Sequence, residues 1–478
     1  MATYDSRKAA IKLFRKTRLG RLFNTSTFLG NVVLAFGITY LIGYDDATPQ
    51  MTYVLFLLIL SVGLWLTEAI PPFAVGVFII AYLTYTLESD FFIEESLKVD
   101  SYIGSWTSSV IWLLLGGFFL AESMKKVKLD RTLFRFTVRR FGTKPKRLLF
   151  GLMLMTALAS MVMSNTATTA MMITSILPLV RKLGRESPFT KSLLIGVPAA
   201  ASVGGLGTII GSTPNAIAVG ALDKVGIQVT FLTWMVIGIP VALILVYSFW
   251  VFLSKRYVPK IDTLDLSFMD DEPEHLVHKR EKRIVLGTLF LTVLLWSTES
   301  LHGIPLAATS AVPIVFLTLT SIVSAEDVRV LPWDTLMLVA GGLALGQAIV
   351  DVGLAERFIL GIESLNLPLL LLAAFFGYLT LVMSNVMSNT AAASILIPIS
   401  LGLPGTYRIA VPLIVAFCAS CALFLPVSTP PNAIAYSTNL LEQKDFRIGG
   451  VYFATIAPIL IFPMCFLLGW AIQSGFSL

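Results

Sequence analysis

Charge is what this chain has least of. Of its 478 residues, 13% are Asp, Glu, Lys or Arg, against roughly 25% in soluble domains. The scarcity is uneven. No Lys, Arg, His, Asp or Glu occurs from Gly151 to Val180, from Ser202 to Leu222, from Pro368 to Thr406 or from Ala410 to Leu441. Histidine is nearly missing as well. His275, His278 and His302 are scattered, and the chain contains neither an HExxH nor a Gly-rich phosphate loop. A hydrolase or a zinc enzyme has almost no parts to work with here. Cysteine numbers three. Cys418 and Cys421 form a CxxC inside an apolar run and read as small packing residues, with only Cys465 besides. Neither a disulfide framework nor a Cys-rich metal site is available.

What fills the space is hydrophobic sequence, 56% of the chain. Apolar runs of ~20 residues, enough to cross a bilayer, recur from end to end with short polar connections between them. The runs fall at 27–43, 51–67, 71–88, 107–123, 192–221, 231–254, 283–300, 304–322, 334–352, 407–441 and 450–473. Those at 192–221 and 407–441 are broken. Two more, near 148–181 and 367–403, are interrupted in the middle by polar residues. Entering and leaving on one face, these two are re-entrant hairpins, which leaves about eleven true spans. The expected fold is an all-α polytopic membrane protein. No cleavable signal peptide is expected, because the start is basic and the first apolar run is a full span.

The net charge of +6 belongs to the loops. Ten Lys or Arg crowd the segment from Lys125 to Arg147, and a second cluster runs from His278-Lys279-Arg280 to Lys282-Arg283. Basic loops mark the cytoplasmic side. With a cytoplasmic N-terminus, the span count puts 125–147, 181–191 and 255–282 inside and the C-terminus outside. Residues 1–25 carry seven basic residues and no acid between Arg7 and Arg21, with Ile11, Phe14, Leu19 and Leu22 interleaved. That pattern reads as an amphipathic helix on the cytoplasmic face of the cell membrane, a transit peptide being the alternative.

The chain also repeats itself. Leu64-Trp65-Leu66-Thr67-Glu68 returns as Leu295-Trp296-Ser297-Thr298-Glu299, and Gly116-Gly117 as Gly341-Gly342. Ser164-Asn165-Thr166-Ala167 returns as Ser388-Asn389-Thr390-Ala391, each with a serine four residues earlier, Ser160 and Ser384. Ser212-Thr213-Pro214-Asn215-Ala216 returns as Ser428-Thr429-Pro430-Pro431-Asn432-Ala433. The order is the same throughout. Each copy holds five spans and a hairpin, and an odd number of crossings inverts the second copy. The organisation is therefore a first span plus repeat 1 over 26–254, a charged linker over 255–282 and repeat 2 over 283–478. Inverted repeats are the architecture of secondary transporters, with the site at the repeat interface.

The chemistry follows from the interruptions. Asn and Thr at a hairpin tip leave helix N-termini pointing inward, where free N–H groups favour an anion. The Pro-Asn pairs at Pro214-Asn215 and Pro431-Asn432 start new half-helices in the same way. With no ionisable side chain nearby, a bound anion must be neutralised by helix ends, hydroxyls, amides and bound cations. Serine hydroxyls, Asn oxygens and freed carbonyls are hard ligands suited to Na⁺. The Ser160–Ser164 spacing predicts two hydroxyls on one helical face, a turn apart. Glu68 and Glu299, at equivalent span ends, read as caps or scaffold pairs. The Gly pairs read as close helix contacts.

These residues resemble the divalent anion/sodium symporters, the family of bacterial INDY-type dicarboxylate transporters and of mammalian sodium-coupled citrate and dicarboxylate carriers. The likeness covers nearly the whole chain after the N-terminal helix, and the paired Ser-Asn-Thr hairpins with paired breaks are its signature. It implies a homodimer with scaffold and transport domains working as an elevator. It implies one sodium at Ser160, Ser164, Asn165 and the Gly211 backbone, and a second at Ser384, Asn389 and the backbone of Met387 and Ser428. It places the substrate carboxylates against Asn165, Thr166, Ser212, Asn389, Thr390, Thr429 and Pro430. Thr213 stands where the family often has proline. The expected function is Na⁺-coupled symport of C4 dicarboxylates such as succinate, malate or fumarate. Sodium-independent exchange and Na⁺-coupled citrate or sulfate transport remain the alternatives within the class, and an anion channel the one outside it. No catalytic residues are expected.

Overall fold

The computed structural model describes residues 18–43, 47–87, 100–258, 263–264, 279–363 and 368–474. The basic start before Arg18 and most of the 255–282 linker lie outside the described residues. Every regular element among the described residues is helical. Eight helices are long and apolar enough to cross a bilayer, among them Phe23–Ile42, Pro49–Thr67, Phe231–Tyr257 and Gln443–Gln473. Shorter apolar helices include Pro72–Leu87, Leu306–Leu319 and Tyr407–Ser420. Both interrupted stretches form helical hairpins: Pro145–Ser160 with Asn165–Leu183, and Leu369–Val386 with Asn389–Ser400.

The chain divides into two compact units, each drawn from both halves of the sequence. The first comprises Met1–Ile111, Ile217–Gln228 and Trp333–Ala419. Its central contact is between helices Pro72–Leu87 and Trp333–Asp351. They meet backbone to backbone because both present glycine at the crossing. A Cβ on Gly341 would lie 2.3 Å from the Gly76 Cα, and one on Gly76 would lie 2.6 Å from the Met337 carbonyl oxygen. The next residue, Gly342, abuts Ser394 of the second hairpin. At the periphery, Asn31 donates to Thr67 Oγ1 at 2.9 Å, tying Arg18–Ile42 to Pro49–Thr67. Only 11% of Phe23–Ile42 is buried, as suits a helix facing lipid.

The second unit comprises Trp112–Ala216, Val229–Pro332 and Ser420–Leu478. Helix Pro188–Gly204 runs through its middle, and 94% of the apolar stretch Pro188–Gly207 is buried. It packs against both arms of the first hairpin, Phe231–Tyr257, Pro430–Tyr436 and Gln443–Gln473. Its sequence explains this position, being apolar or small on every face after its first turn. Its one charge, Lys191, reaches buried Asp445 at 3.2 Å. Asp445 also accepts from the Glu442 N–H at 2.8 Å, so a single carboxylate caps Gln443–Gln473 and neutralises Lys191. Glu299 accepts from the Leu306 N–H at 3.2 Å, and Glu68 occupies the left-handed position that ends Pro49–Thr67.

Candidate functional site

Both hairpins are built alike. The first arm ends, a short turn follows, and a serine hydroxyl starts the second arm. Ser164 Oγ accepts from the Ala167 N–H at 3.2 Å and Ser388 Oγ from the Ala391 N–H at 3.1 Å. Asn165 and Asn389 then occupy the first helical positions, followed by Thr166 and Thr390. This corrects the shared helical face expected for Ser160 and Ser164. Ser160 is the last residue of its arm, whereas Ser164 is extended at φ −63° and ψ 142°. An N-cap residue needs a non-helical backbone, so Ser164 cannot continue the helix that Ser160 ends.

In the second unit, the first hairpin meets the first break. Helix Pro188–Gly204 gives way to two short turns, Gly205–Gly207 and Ile209–Gly211, before the helix Thr213–Lys224 begins. Thr208 lies extended between the turns, where its hydroxyl donates to the Met161 carbonyl of the hairpin crossing. The Asn165 amide projects into this junction. Its inward atom lies 3.1 Å from the Gly211 oxygen, 3.0 Å from the Ala201 oxygen and 2.7 Å from Ser160 Oγ. With Nδ2 inward, the amide donates to all three. With Oδ1 inward, it accepts from the Ser160 hydroxyl and stands as a fourth oxygen facing two carbonyls. The first arrangement satisfies these atoms by hydrogen bonds alone, and the second would need a cation among the oxygens. Glycine at 205 makes room for the cluster, since a Cβ there would sit 2.5 Å from Asn165 Oδ1 and 2.6 Å from the Gly211 oxygen.

The second break, also in this unit, repeats the first in detail. Asn432 Nδ2 donates to the carbonyls of Leu423 (3.2 Å) and Leu425 (3.0 Å). Asn215 Nδ2 donates to those of Gly205 (2.9 Å) and Thr208 (2.8 Å). Each asparagine thus ties together two carbonyls of its break, of which those of Thr208 and Leu425 also accept from the Gly211 and Ser428 N–H groups at 3.3 and 3.2 Å. Thr429 Oγ1 accepts from the Asn432 N–H at 3.3 Å, with Pro430 at the first position of the short helix that follows. Ser428 Oγ accepts from the Leu425 N–H at 3.0 Å. The two breaks touch through Ser212 and Ser420, whose hydroxyls are 2.9 Å apart and buried. Ser160, Asn165, Gly211, Ser212, Ser428, Thr429 and Pro430 therefore belong to one unit.

The second hairpin lies in the first unit with Ser384, Met387, Asn389 and Thr390. Met387 is extended between the arms, at φ −118° and ψ 177°. Ser384 Oγ and Asn389 Oδ1 are buried and have no hydrogen-bond partner. They flank the hairpin turn, one near the end of the first arm and one at the start of the second, and share this state with thirteen other buried side-chain atoms among the described residues. They fit a site whose remaining partner is a cation.

Sequence reasoning missed the side-chain roles of Asn215, Asn432 and Thr208. The recurrence of Asn after Pro in both breaks was the available signal for the first two. Thr208 carried none. Asn432→Ala is expected to lower thermal stability by about 1–3 kcal/mol for each carbonyl it strands. Asn432→Asp, which also lacks the donor, is expected to fare no better. Thermal unfolding of the purified protein followed by intrinsic fluorescence checks both.

A family model described as citrate transporter matches residues 53–411. The chain belongs to the citrate transporter family. It is thus a multi-pass membrane transporter and not an enzyme, and the divalent anion/sodium symporter resemblance agrees with the match. Relatives named sodium-dependent dicarboxylate transporter SdcS, from Staphylococcus aureus strains MRSA252 and USA300, are each 28% identical over 496 aligned positions. Those alignments cover 95% of this chain and 93% of each relative. Among solved structures, this family member is similar to the Alcanivorax borkumensis YdaH transporter, with a TM-score of 0.53 at 13% identity. That match covers 85% of this chain and 99% of the other. It is also similar to Neisseria gonorrhoeae MtrF, with a TM-score of 0.54 at 12% identity over 84% of this chain and 96% of the other. Both likenesses concern the fold.

Proposed function

We propose that this transporter carries C4 dicarboxylates into the cell by symport with sodium. The observation that carries the reading is the convergence of Ser160 Oγ and the Ala201 and Gly211 carbonyls on the Asn165 amide at the first hairpin tip, which becomes an all-oxygen cluster when the amide turns Oδ1 inward. It has no ionisable member, so only a bound cation supplies positive charge beside it. The orphaned Ser384 and Asn389 oxygens support a second sodium at the equivalent hairpin. Met387 would add its backbone to that site, and Ser164 its hydroxyl to the first. The SdcS relatives, named for sodium dependence and dicarboxylates, support the same ion and substrate class. Dicarboxylate oxygens would be met by Asn165, Thr166, Ser212, Thr429 and Pro430, and the family resemblance adds Asn389 and Thr390. Transport by an elevator movement in a homodimer of the cell membrane, with the N-terminus cytoplasmic, completes the reading.

The order of binding follows from charge. Sodium binds first, because an anion placed among carbonyls and hydroxyls with no cation meets oxygen atoms of its own sign. Occupied sodium sites present positive charge behind the N–H groups of the hairpin tips, and the anion then binds. Coupling is the mutual dependence of the two events.

Radiolabelled succinate uptake into proteoliposomes, with an inward Na⁺ gradient against an equal K⁺ gradient, tests the proposal. Uptake with Na⁺ alone is expected. Uptake that requires dicarboxylate inside and ignores Na⁺ would replace symport with exchange. A second measurement separates the ligands. Thr166→Val and Thr390→Val remove one hydroxyl each at the expected anion face. Each is expected to weaken succinate binding about tenfold and sodium binding by less than about threefold, the scale of one hydrogen bond. Titrations of purified protein read both, and equal losses would sink the division of roles.

A further inference from the structure

An open groove runs between the last turns of Phe231–Tyr257 and the first turns of Gln443–Gln473, inside the second unit. Its floor and walls are almost wholly apolar and aromatic, with Phe252, Val451, Tyr452 and Ile456 among them. Two arginines, Arg256 and Arg447, share the lining. We propose that this groove binds an anionic phospholipid, its phosphate held by Arg256 and Arg447 and one acyl chain lying along the apolar wall.

Position along the helices comes first. Arg256 is the next-to-last residue of its 27-residue helix, and Arg447 lies in the second turn of its 31-residue partner. The two charges stand at the same end of the groove, near the ends of their two apolar helices, and the apolar lining continues from them along the helices. The groove is also preformed. Phe252 and Tyr452 rings are 4.9 Å apart, and both pack on Phe249, at 6.0 Å and 5.0 Å. A rigid aromatic floor loses little entropy when a flexible chain settles on it.

Charge decides the headgroup. The acids nearest Arg447 in sequence are already engaged, Asp445 with Lys191 and Glu442 with Arg185 and Lys444. No carboxylate among the described residues pairs with Arg256 or Arg447. Two guanidinium groups over an apolar groove match a phosphate ester, which accepts paired hydrogen bonds from Arg. A zwitterionic headgroup would bring a competing ammonium, whereas phosphatidylglycerol brings none. The basic loops expected inside would open the groove to the cytoplasmic leaflet, where anionic lipid concentrates.

The full-length protein, delipidated and placed in phosphatidylcholine nanodiscs with or without phosphatidylglycerol, tests this by thermal unfolding and by native mass spectrometry of retained lipid. Phosphatidylglycerol is expected to raise the unfolding midpoint and to remain bound. In the R256Q/R447Q double variant its apparent affinity is expected to fall about ten- to a hundredfold, the scale of two charges at a membrane surface. Val451→Trp, which fills the groove and leaves both charges, is expected to lose lipid similarly. K255Q/K444Q removes two neighbouring charges outside the groove lining and is expected to keep it. Equal loss in K255Q/K444Q would reduce the effect to diffuse attraction and overturn the site. An equal midpoint rise with inorganic phosphate in place of the lipid would make it a free-anion site. A change of oligomeric state in Val451→Trp would assign the groove to a second copy of the chain. A lipid effect emerging only after neutralising Asp270, Asp271, Glu272 and Glu274 would assign it to the chain's own acidic segment.

Discussion

Sodium-driven succinate uptake is expected to fall at least about a hundredfold in Asn165→Ala. The amide spans three oxygens, Gly211 O, Ala201 O and Ser160 Oγ, all within 3.1 Å. Its loss strands buried acceptors at about 1–3 kcal/mol each, and about 2.8 kcal/mol already corresponds to a hundredfold. With the amide turned the other way, the same substitution removes Oδ1, the one side-chain carbonyl in the proposed sodium cluster. Asn165→Asp sharpens the expectation. A carboxylate beside two carbonyls is repelled by both, so the variant should depend on sodium for its folded stability. Its midpoint in NaCl against choline chloride should separate further than that of the wild-type protein. Dicarboxylate uptake should nevertheless be lost, because the added negative charge faces the anion. An Asp variant indifferent to sodium would remove the cation from this cluster.

A comparably large effect is expected on folding when the crossing of Pro72–Leu87 and Trp333–Asp351 is opened. In Gly341→Val the new Cβ would begin 2.3 Å from the Gly76 Cα and 2.5 Å from the Gly76 oxygen. Both are backbone atoms that no rotamer can move aside. The helices must separate, and the interface around Val75, Ile79, Leu338 and Leu345, all buried, loses contact along its length. Overpacking typically costs about 1–3 kcal/mol, and more where backbone must shift. Monodisperse protein recovered in detergent should therefore drop several-fold or vanish. Gly287→Ala is the control. Nothing lies within 4 Å of a Cβ there, and alanine favours the helix by about 1 kcal/mol. Its yield should match or exceed that of the wild-type protein.

Much of this was legible in advance for a simple reason. A bilayer solvates no free backbone, so an apolar stretch of ~20 residues must be helical and a polar interruption must be a deliberate break. The hairpins at 148–181 and 367–403 were readable from that rule alone. Proline, which lacks an N–H, located the breaks, although the half-helices begin at Thr213 and Pro430, one residue before the expected Pro214 and Pro431. The Gly341-Gly342 pair was readable as close packing for the same kind of local reason, since only glycine permits such an approach.

Local rules also misled where two of them competed. Helical spacing put Ser160 and Ser164 on one face, yet serine is also a strong N-cap, and the hairpin uses Ser164 in that role. The cap prevailed because the second arm's first N–H groups have no partner within the helix, and Ser164 Oγ supplies one. No spacing rule within the motif could separate the two outcomes.

By itself, then, the sequence determined the all-helical membrane architecture, the internal repeat of motifs, the two hairpins and the two breaks, and which segments carry no charge. Each of these follows from short-range physics, the need of every backbone group for a partner and of every span for apolar length. The tertiary structure alone decided which interruptions meet. It joined Thr208 to Met161, Asn165 to Ala201 and Gly211, and Ser212 to Ser420 across 208 residues. In a membrane protein every helix face is apolar, so hydrophobic pattern cannot say which faces touch. That choice rests on shape, on where glycine allows approach and on which buried carbonyl still lacks a donor.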